Sequence, residues 1–511
     1  MGNISRRFFI GGAASFGAFG GCRLFAGSGF ASGRPRIRFG VVSDIHITLR
    51  SKEGDTEQSS KNELTFVHTL EWFRDKGVDA VIVAGDMADQ GIIDQLAIVA
   101  EAWNRVFPGD RAPDGRKVER LFVYGNHDLG GIPYTRGYIE GKTDDEINKL
   151  IIYPDPKAAW EKVFNEPFEP IWTKEVKGYR FVGAHWWSAR GCTGRNEKFN
   201  NGIVDWYDAH AKEIDPSLPF FHIQHPHPLN TCYGPWAWGR DVGLTTKALS
   251  AFPNAVSFSG HSHYPLTDER SVWQGAFTSV GTGSLRYVHY GYNEYPPYGF
   301  ANSYTPSGAE MRKIDAAKLQ ARVKDAYQCR QGMLWSVYDD HMVAERREFL
   351  SGTNLGEDWV VPLPTAEPKP FSFVERAKKI GAPAFPEGAA LRVERAKAKT
   401  RGAAANRDFP AIKSEEKDCL KVVIPAAVAK DGARAYHFEV SVVGSDGAAA
   451  LTRRVLVDGL AQGSLHPHAK NETVCVFALD ELPKGAMRFV VKSFNCFGRA
   501  GASLASGEIT V

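Results

Sequence analysis

The stretch IRFGVVSDIH, residues 37–46, decides how the first half of the chain folds. It opens with a mostly apolar run typical of a buried strand, and an acidic and an imidazole side chain follow at Asp44 and His46. Side chains two residues apart in an extended segment point to the same side, so these two can reach one ion. The stretch therefore predicts a strand over residues 37–42 with candidate ligands at its carboxyl end.

The same alternation of apolar runs continues downstream of that strand. Residues 78–84 form a continuous apolar run typical of a strand buried on both faces, and residues 120–124 form the next predicted strand. Residues 62–76 and 92–107 carry apolar side chains at helical spacing. Alternating strands and helices predict an α/β layered domain. Further strands of this domain are predicted at residues 179–184, 220–224, 255–259, 276–280 and 333–338.

The chain has 511 residues, which is too long for one ordinary core, and its composition divides it. The α/β pattern occupies residues 34–355. Residues 356–386 are rich in Pro, Ala and Lys, which predicts a linker. Residues 387–511 alternate apolar and polar positions in short segments, which predicts a smaller all-β sandwich domain. Residues 487–498 resemble part of a fibronectin type III or immunoglobulin-like domain, a likeness of fold that says little about function.

Residues 1–33 are predicted to be a signal peptide. Arg6 and Arg7 precede an apolar, Gly-rich run that is too short to form a stable membrane-spanning helix. The paired arginines resemble a twin-arginine export signal, and an ordinary secretory signal is the alternative. Cys22 ends a stretch similar to a lipoprotein cleavage box, while cleavage near residues 26–32 would leave a soluble protein. We expect export to the periplasm, the cell surface or the medium, with membrane attachment only through a lipid on Cys22.

Five short polar motifs lie at the ends of predicted strands. They are D-x-H at 44–46, G-D at 85–86, G-N-H-D at 125–128, a histidine at 225 and G-H-x-H at 260–263. Ligands bind beyond the carboxyl ends of strands in open α/β sheets, so we expect the motifs to meet at one edge. Each motif alone is a weak signal, but their order on consecutive strand ends is not. Carboxylate, imidazole and amide donors suit divalent Mn, Zn or Fe rather than Ca²⁺ or a thiolate zinc site.

The order of these motifs resembles the calcineurin-like metallophosphoesterase family over roughly residues 36–349. The resemblance implies a layered β-sandwich core flanked by helices, and two divalent ions bridged by one aspartate. The implied ligands of the first ion are Asp44, His46, Asp86 and His263, and those of the second ion are Asp86, Asn126, His225 and His261. It further implies hydrolysis of phosphomonoesters or phosphodiesters by a hydroxide that the two ions activate, without a covalent phospho-enzyme.

Residues beside the implied ligands receive separate roles from the resemblance. His127 is implied to face the substrate and to stabilise or protonate the leaving oxygen. Purple acid phosphatases have a tyrosine three residues after the bridging aspartate, where this chain has Asp89, so the purple iron subtype is not expected. Asp89 and Asp128 are expected to orient ligands from behind. His225 fits the ligand position best, and His227 is either an alternative ligand or a residue that orients one.

Aromatic and arginine side chains near the motifs are candidates for substrate recognition: Trp186, Arg190, Trp236 and Arg240. They could stack on a base or sugar and bind a second phosphate, or pack one loop on another. A specialist nucleotide or lipid-headgroup phosphodiesterase is therefore an alternative hypothesis. A non-catalytic surface-binding protein is a third hypothesis, and the presence of every implied ligand speaks against it.

Charge and cysteine content exclude other classes of protein. The net charge of +3 offers no bulk electrostatic case for nucleic acid as a stable partner. The chain has seven cysteines without C-x-x-C spacing, so a cysteine metal site is not expected. The six that remain without Cys22 are consistent with disulfides or with buried thiols.

Overall fold

The computed structural model describes residues 33–53, 56–130, 132–153, 155–186, 202–232, 241, 243–288, 328–365, 367, 369–399, 415–430, 434–463 and 471–511. Residues 1–32 of the predicted signal peptide, with Cys22, and the candidate substrate residues Arg190, Trp236 and Arg240 lie outside these ranges.

The first part of the chain contains alternating strands and helices. Its elements are, in chain order, β1 (Ile37–Val42), β2 (Ser51–Glu53), β3 (Thr56–Gln58), α1 (Lys61–Asp75), β4 (Ala80–Ala84), α2 (Ile93–Val106), β5 (Glu119–Val123), α3 (Ile132–Ile139), α4 (Asp144–Leu150), α5 (Pro156–Phe164), β6 (Ile171–Val176), β7 (Tyr179–Ala184), α6 (Ile203–His210), β8 (Phe220–Ile223), α7 (Leu244–Leu249), β9 (Ala255–Ser259), β10 (Val272–Gln274), β11 (Thr278–Gly281), β12 (Gln331–Val337), β13 (His341–Glu348), β14 (Thr353–Asn354), β15 (Trp359–Pro362) and α8 (Phe373–Lys379).

These strands form two large sheets. The first has the order β14-β13-β12-β1-β4-β5 with β15 also on β13, and the second has the order β10-β11-β9-β8-β7-β6. Strands β1, β4 and β5 run parallel in the first sheet, as do β7, β8, β9 and β11 in the second. Parallel neighbours end at the same edge of a sheet, so the loops that follow them lie together.

The two sheets pack face to face around an apolar core. Phe39 of β1 lies against three aromatic rings of the second sheet, with ring centroids 5.4 Å from Phe181, 4.9 Å from Phe221 and 5.9 Å from Phe258. Helices α1 and α2 cover the outer face of the first sheet, and α6 and α7 cover that of the second. This arrangement confirms the predicted fold class, an α/β core of layered sheets flanked by helices.

The segment predicted as a linker, residues 356–386, differs from that prediction. Strand β15 pairs with β13, and its Trp359 and Val361 are buried in the core between the sheets. Helix α8 begins after Ser372, whose hydroxyl accepts from the amide of Glu375, and it buries Arg376. A few apolar side chains in a Pro- and Lys-rich segment are enough to anchor it, so composition misled here. The first sheet therefore extends beyond residue 355.

Polar side chains hid one strand of this sheet from the sequence pattern. Strand β13 reads HMVAERRE, and its Arg346 and Glu348 are buried although charged side chains normally face solvent. Glu348 accepts backbone hydrogen bonds from Arg330 and Leu350, and this pairing permits its burial.

The last part of the chain is all-β. Its strands are β16 (Arg392–Lys399), β17 (Glu416–Pro425), β18 (His437–Gly444), β19 (Ala449–Leu456), β20 (Glu472–Ala478), β21 (Ala486–Phe494), β22 (Ala500–Ala505) and β23 (Ile509–Thr510). They form two antiparallel sheets, β16-β17-β20 and β19-β18-β21-β22 with β23 on β21, around a separate apolar cluster. An all-β unit follows the α/β core as expected, and its fibronectin or immunoglobulin identity stays a prediction.

Among the residues that the structure describes, no helix combines the length and the apolar character needed to cross a bilayer.

Candidate metal centre

The candidate ligands occupy loops whose backbone is strained. Asp44, His46, Asp86, His261 and His263 all have a positive φ, between 49° and 66°. They are five of the nine non-glycine residues with positive φ in the described part of the chain. This conformation costs on the order of 1–2 kcal/mol for a non-glycine residue, and it persists only where surrounding structure holds it.

Backbone contacts hold these loops against one another. The amide of His46 donates to the carbonyl of Asp86 at 3.0 Å, which ties the loop after β1 to the loop after β4. Two glycines permit the close approach: a Cβ at Gly125 would overlap the carboxylate of Asp86, and one at Gly260 would overlap that of Asp44. The loops therefore need glycine at these positions to bring the carboxylates together.

Three side chains converge at the first candidate metal position. His263 Nε2 lies 3.1 Å from Asp44 Oδ1, and His46 Nε2 lies 3.3 Å from His263 Nε2. One donor atom from each of these residues lies within 4.8 Å of the others, and all three residues are buried. Asp86 borders this group, because its Oδ2 is 3.6 Å from His46 Nε2.

A second group lies on the other side of Asp86. His225 Nε2 is 3.1 Å from Asp86 Oδ2 and 3.1 Å from Asn126 Oδ1. Donor atoms of Asp86, His225 and His261 also lie within 4.8 Å of one another. Asp86 therefore faces both groups, and the structure brings all seven residues predicted as ligands to one edge of the two sheets.

The outer ring nitrogens of three histidines fix which nitrogen faces inward. His225 Nδ1 donates to the Ala84 carbonyl at 2.8 Å, and His263 Nδ1 donates to the Tyr287 carbonyl at 2.9 Å. His46 Nδ1 lies 3.1 Å from a carboxylate oxygen of Asp89. Because Nδ1 is engaged on the outer side, each of these histidines turns Nε2 toward the other imidazoles and the carboxylates. Imidazole nitrogens and carboxylate oxygens that converge in this way fit divalent ions.

Burial and neighbouring charges shift the pKa values of the candidate ligands, and the direction differs from one side chain to another. Burial alone would raise the pKa of Asp44, but the charges of His263 and His225 hold it at about 2. Burial lowers the pKa of His46 to about 4 and that of His261 to about 3, so both imidazoles are neutral, as metal ligands must be. His225 differs, because Asp86 and Asp44 overcome the effect of burial and raise its pKa to about 9. An ion bound to Asp86 would displace that proton.

The family description for calcineurin-like phosphoesterases matches residues 37–265, the part of the chain that carries all five motifs. These residues form a calcineurin-like phosphoesterase domain. The match covers less than half of the chain, and it supports a metal-dependent hydrolase that acts on phosphate esters. The resemblance inferred from the ordered motifs is thereby confirmed for this domain.

Solved structures add only distant likenesses to this phosphoesterase domain. A dimetal phosphatase from Danio rerio is 12% identical, with 64% of this chain and 98% of that chain covered and a TM-score of 0.35. A purple acid phosphatase from yellow lupin (Lupinus luteus) seeds is 12% identical, with 64% and 53% covered and a TM-score of 0.37. Scores this low carry no conclusion about substrate. No curated protein matches the chain by sequence.

His127 lies at the edge of the metal centre of the phosphoesterase domain. Its Nδ1 donates to the Asp89 carbonyl at 2.7 Å, and its amide donates to Asp86 Oδ1 at 2.8 Å. One ring nitrogen of His127 also lies within 4.8 Å of donor atoms of His46 and Asp86, so distance alone does not separate it from the ligands.

Asp89 and Asp128 orient the loops around the centre, as the sequence predicts. Asp89 accepts from His46 and also contacts the guanidinium of Arg286. Asp128 accepts from the amides of Ala88 at 2.6 Å and Gly125 at 2.7 Å, which joins the loops after β4 and β5. Burial and the charge of Asp86 raise the pKa of Asp128 to about 7.

His227 does not reach the metal centre. One of its ring nitrogens lies 2.7 Å from the Ser262 hydroxyl, and the other lies 2.8 Å from the Ser259 hydroxyl. Both nitrogens are therefore engaged away from the ligands. His225, whose Nε2 faces Asp86, is the histidine of this segment that can bind an ion. His227 instead braces the loop that carries His261 and His263.

Trp186 corrects one expectation about substrate recognition. Its indole is 3% exposed and packs beside His225 at 5.8 Å and His261 at 5.7 Å between ring centroids. A side chain buried in this way has no face for a substrate base, so Trp186 forms a wall of the site. The other three candidates, Arg190, Trp236 and Arg240, lie outside the described residues.

Two further residues border the proposed ligands. Arg286 contacts Asp89, and the carbonyl of Tyr287 holds His263. Both follow β11, which ends at the same edge of the second sheet as β8 and β9. Their position after a strand at this edge was the available signal, but neither residue belongs to a ligand motif.

Proposed function

We propose that this protein is an exported hydrolase of phosphomonoesters or phosphodiesters that works with two divalent ions, Mn, Zn or Fe. The observation that carries the proposal is the pair of donor groups that both face Asp86, with imidazole nitrogens converging on them. The proposed ligands are Asp44, His46, Asp86 and His263 for one ion and Asp86, Asn126, His225 and His261 for the other.

Bound at these positions, the ions would neutralise phosphate oxygens and supply the activated water that attacks phosphorus. Asp86 would place the two positions side by side, because its carboxylate faces both groups. Asn126 adds a neutral oxygen donor, so the ligand set carries two negative charges against two dications. That balance leaves positive charge available for an anionic phosphate ester.

His127 is the proposed catalytic residue. Its Nδ1 is held by the carbonyl of Asp89, so Nε2 is the ring nitrogen proposed to contact a leaving oxygen. In its protonated form Nε2 can donate a hydrogen bond or a proton to that oxygen. Its backbone bond to Asp86 fixes the distance between this donor and the metal positions.

Metal analysis combined with a substrate panel tests the proposal. The purified protein should hold about two equivalents of transition metal and hydrolyse activated aryl phosphates after reconstitution with Mn, Zn or Fe. The panel should include monoesters, diesters, nucleotides and lipid-headgroup diesters, which separates a general esterase from a specialist. Less than about one tightly bound equivalent, with no turnover of any aryl phosphate, would contradict the proposal.

Export is supported by the sequence of residues 1–33, where Arg6 and Arg7 precede an apolar run. The double substitution Arg6→Lys and Arg7→Lys should retain the protein in the cytoplasm if the twin-arginine route is used. Unchanged export would indicate the ordinary secretory route. The mass of the mature N-terminus would show whether Cys22 carries a lipid, and retention of residues 1–33 would contradict export.

A further inference from the structure

The segment of residues 282–288, directly after β11, lines one side of the candidate metal centre. The amides of Leu285 and Arg286 donate to the carbonyls of Ser43 at 3.1 Å and Asp44 at 3.0 Å. The hydroxyl of Ser284 also donates to the Asp44 carbonyl at 3.2 Å. The segment therefore lies against the loop after β1 and is hydrogen-bonded to the backbone of the proposed ligand Asp44.

The same segment orients two more proposed ligands of that position. The carbonyl of Tyr287 accepts from Nδ1 of His263, and Arg286 contacts Asp89, which in turn accepts from Nδ1 of His46. Hydrogen bonds of this kind set the tautomer and direction of a ligating imidazole. All three ligands specific to the first position thus depend on residues 282–288.

The other side of the segment belongs to the C-terminal β unit. Val288 is fully buried in the apolar cluster formed mainly by the C-terminal strands, which includes Leu420 and Phe477. Cys329, two residues before β12, is buried in the same cluster. The C-terminal core therefore includes side chains contributed by the phosphoesterase half of the chain.

Gln331, the first residue of β12, makes three hydrogen bonds. Through them it connects the 282–288 segment with the C-terminal unit. Its amide donates to the Ser284 carbonyl at 2.8 Å. Its side-chain oxygen accepts from the Leu266 amide at 2.7 Å, three residues after His263. Its Nε2 donates to the Ala461 carbonyl of the C-terminal unit at 2.6 Å. Gln331 is fully buried, so each bond lies in a region without competing water.

The second metal position has a different support. The outer nitrogen of His225 is held by the Ala84 carbonyl at the end of β4, and Gly125, beside Asn126, is held by Asp128. These contacts lie within the phosphoesterase domain. The two positions therefore differ in how they are held, although Asp86 borders both.

We propose that the C-terminal β unit positions the ligands of one metal position, that of Asp44, His46 and His263, by holding residues 282–288. Gln331 and Val288 are the positioning residues in this arrangement. The inference rests on the proposed function, since it concerns the two ions that function requires. Its consequence is an asymmetric centre in which one ion depends on the C-terminal unit through three ligands and the other only indirectly, because the amide of His261 donates to the carboxylate of Asp44.

The variant Gln331→Met tests the inference in the full-length protein. It keeps the side-chain volume and removes both side-chain hydrogen bonds. Zn²⁺ and Mn²⁺ affinities are measured by titration of the metal-free protein against a competing chelator. Affinity at the position of Asp44, His46 and His263 should fall by roughly 10–100-fold, and affinity at the other position should fall much less. Saturating metal should restore kcat with KM near the wild-type value.

Two further variants keep the test independent of folding. Val288→Ala weakens the apolar anchor without touching Gln331, and it should lower affinity at the same single position. Phe497→Leu is the matched control, because Phe497 packs on Phe373 and Arg376 of α8, at the same boundary but away from the 282–288 segment. It should lower the melting temperature without changing either metal affinity.

The outcomes separate the inference from the proposed function. Wild-type protein that binds two equivalents, together with unchanged affinities in Gln331→Met and Val288→Ala, would overturn the inference alone. Equal loss at both positions, matched by Phe497→Leu, would also overturn it, since that would be general destabilisation. Wild-type protein that binds less than about one equivalent would overturn the proposed function itself.

Discussion

Two clusters of buried charged side chains in this protein differ in the partners of their carboxylates. At the metal centre, the ion-pair partners of Asp44 and Asp86 among the described residues are histidines. Between the second sheet, β13, α8 and the C-terminal unit, carboxylates instead meet guanidinium groups. Asp268 pairs with Arg270 at 2.6 Å, and Glu269 pairs with Arg346 at 2.9 Å and also with Arg376.

The difference shows how buried charge can be assigned to structure or to function. In the arginine–carboxylate cluster each carboxylate meets at least one guanidinium, and these ion pairs tie the elements together. Carboxylates that meet imidazoles form instead a donor set that can bind a divalent cation. Five of the nine non-glycine residues with positive φ in the described part of the chain belong to this second cluster.

The largest expected effect comes from the residue shared by both metal positions. Asp86→Ala should abolish turnover, with a loss of at least about 10³-fold, because it removes the only proposed bridge between the ions. Metal analysis should show that at least one equivalent is lost. If the variant retained both ions with near-normal kcat, Asp86 would not be the bridging ligand. The distinction between a metal-binding cluster and a structural cluster would then fail.

His127→Ala should leave the metals bound and reduce kcat by about 10²–10⁴-fold, since it removes a proton donor and no proposed ligand. Metal content and kcat are measured on the same preparation. His127→Gln is a matched variant that keeps a hydrogen-bond donor without a transferable proton. A loss of metal in His127→Ala would show that this histidine belongs to the ligand set.

The arginine cluster should respond in stability rather than in chemistry. Asp268→Ala leaves the fully buried guanidinium of Arg270 without its carboxylate, which should cost about 3–5 kcal/mol of unfolding free energy. Denaturant unfolding measures the loss, and metal content should remain at the wild-type level. A variant that is equally stable but loses metal would reverse the roles given to the two clusters.

The smallest effect concerns a buried histidine outside both clusters. Burial lowers the pKa of His222 to about 4 in the folded protein, where its ring contacts Tyr207 and Gln224. Between pH 6.5 and 4 the unfolded chain binds a proton that the folded chain does not, so stability falls as the pH decreases through this window. His222→Gln should reduce that slope by up to about 1.4 kcal/mol per pH unit, measured by unfolding at a series of pH values. An unchanged slope would mean that His222 is charged when folded.

Local patterns in the sequence predicted much of the phosphoesterase domain. Strands β1, β7 and β9 have the predicted bounds, and β4 differs by two residues, because continuous apolar runs mark buried strands regardless of their neighbours. The seven proposed ligands lie in motifs that the sequence shows at strand ends, and the family resemblance implies their assignment to the two ions. Patterns of this kind failed where burial depends on partners: Arg346 is buried only because Glu269 and a backbone carbonyl receive its guanidinium.

The sequence by itself determined which candidate donors the motifs carry, in what order, and on which strand ends. Only the tertiary structure decided how they are held, because those contacts join residues far apart in the chain. Arg286 reaches Asp89, the Tyr287 carbonyl holds His263, and Gln331 connects both to the C-terminal unit. The motifs can be recognised locally, because each lies between a strand and a turn. The supporting contacts cannot, because a hydrogen bond to a carbonyl far along the chain produces no periodic pattern in the sequence.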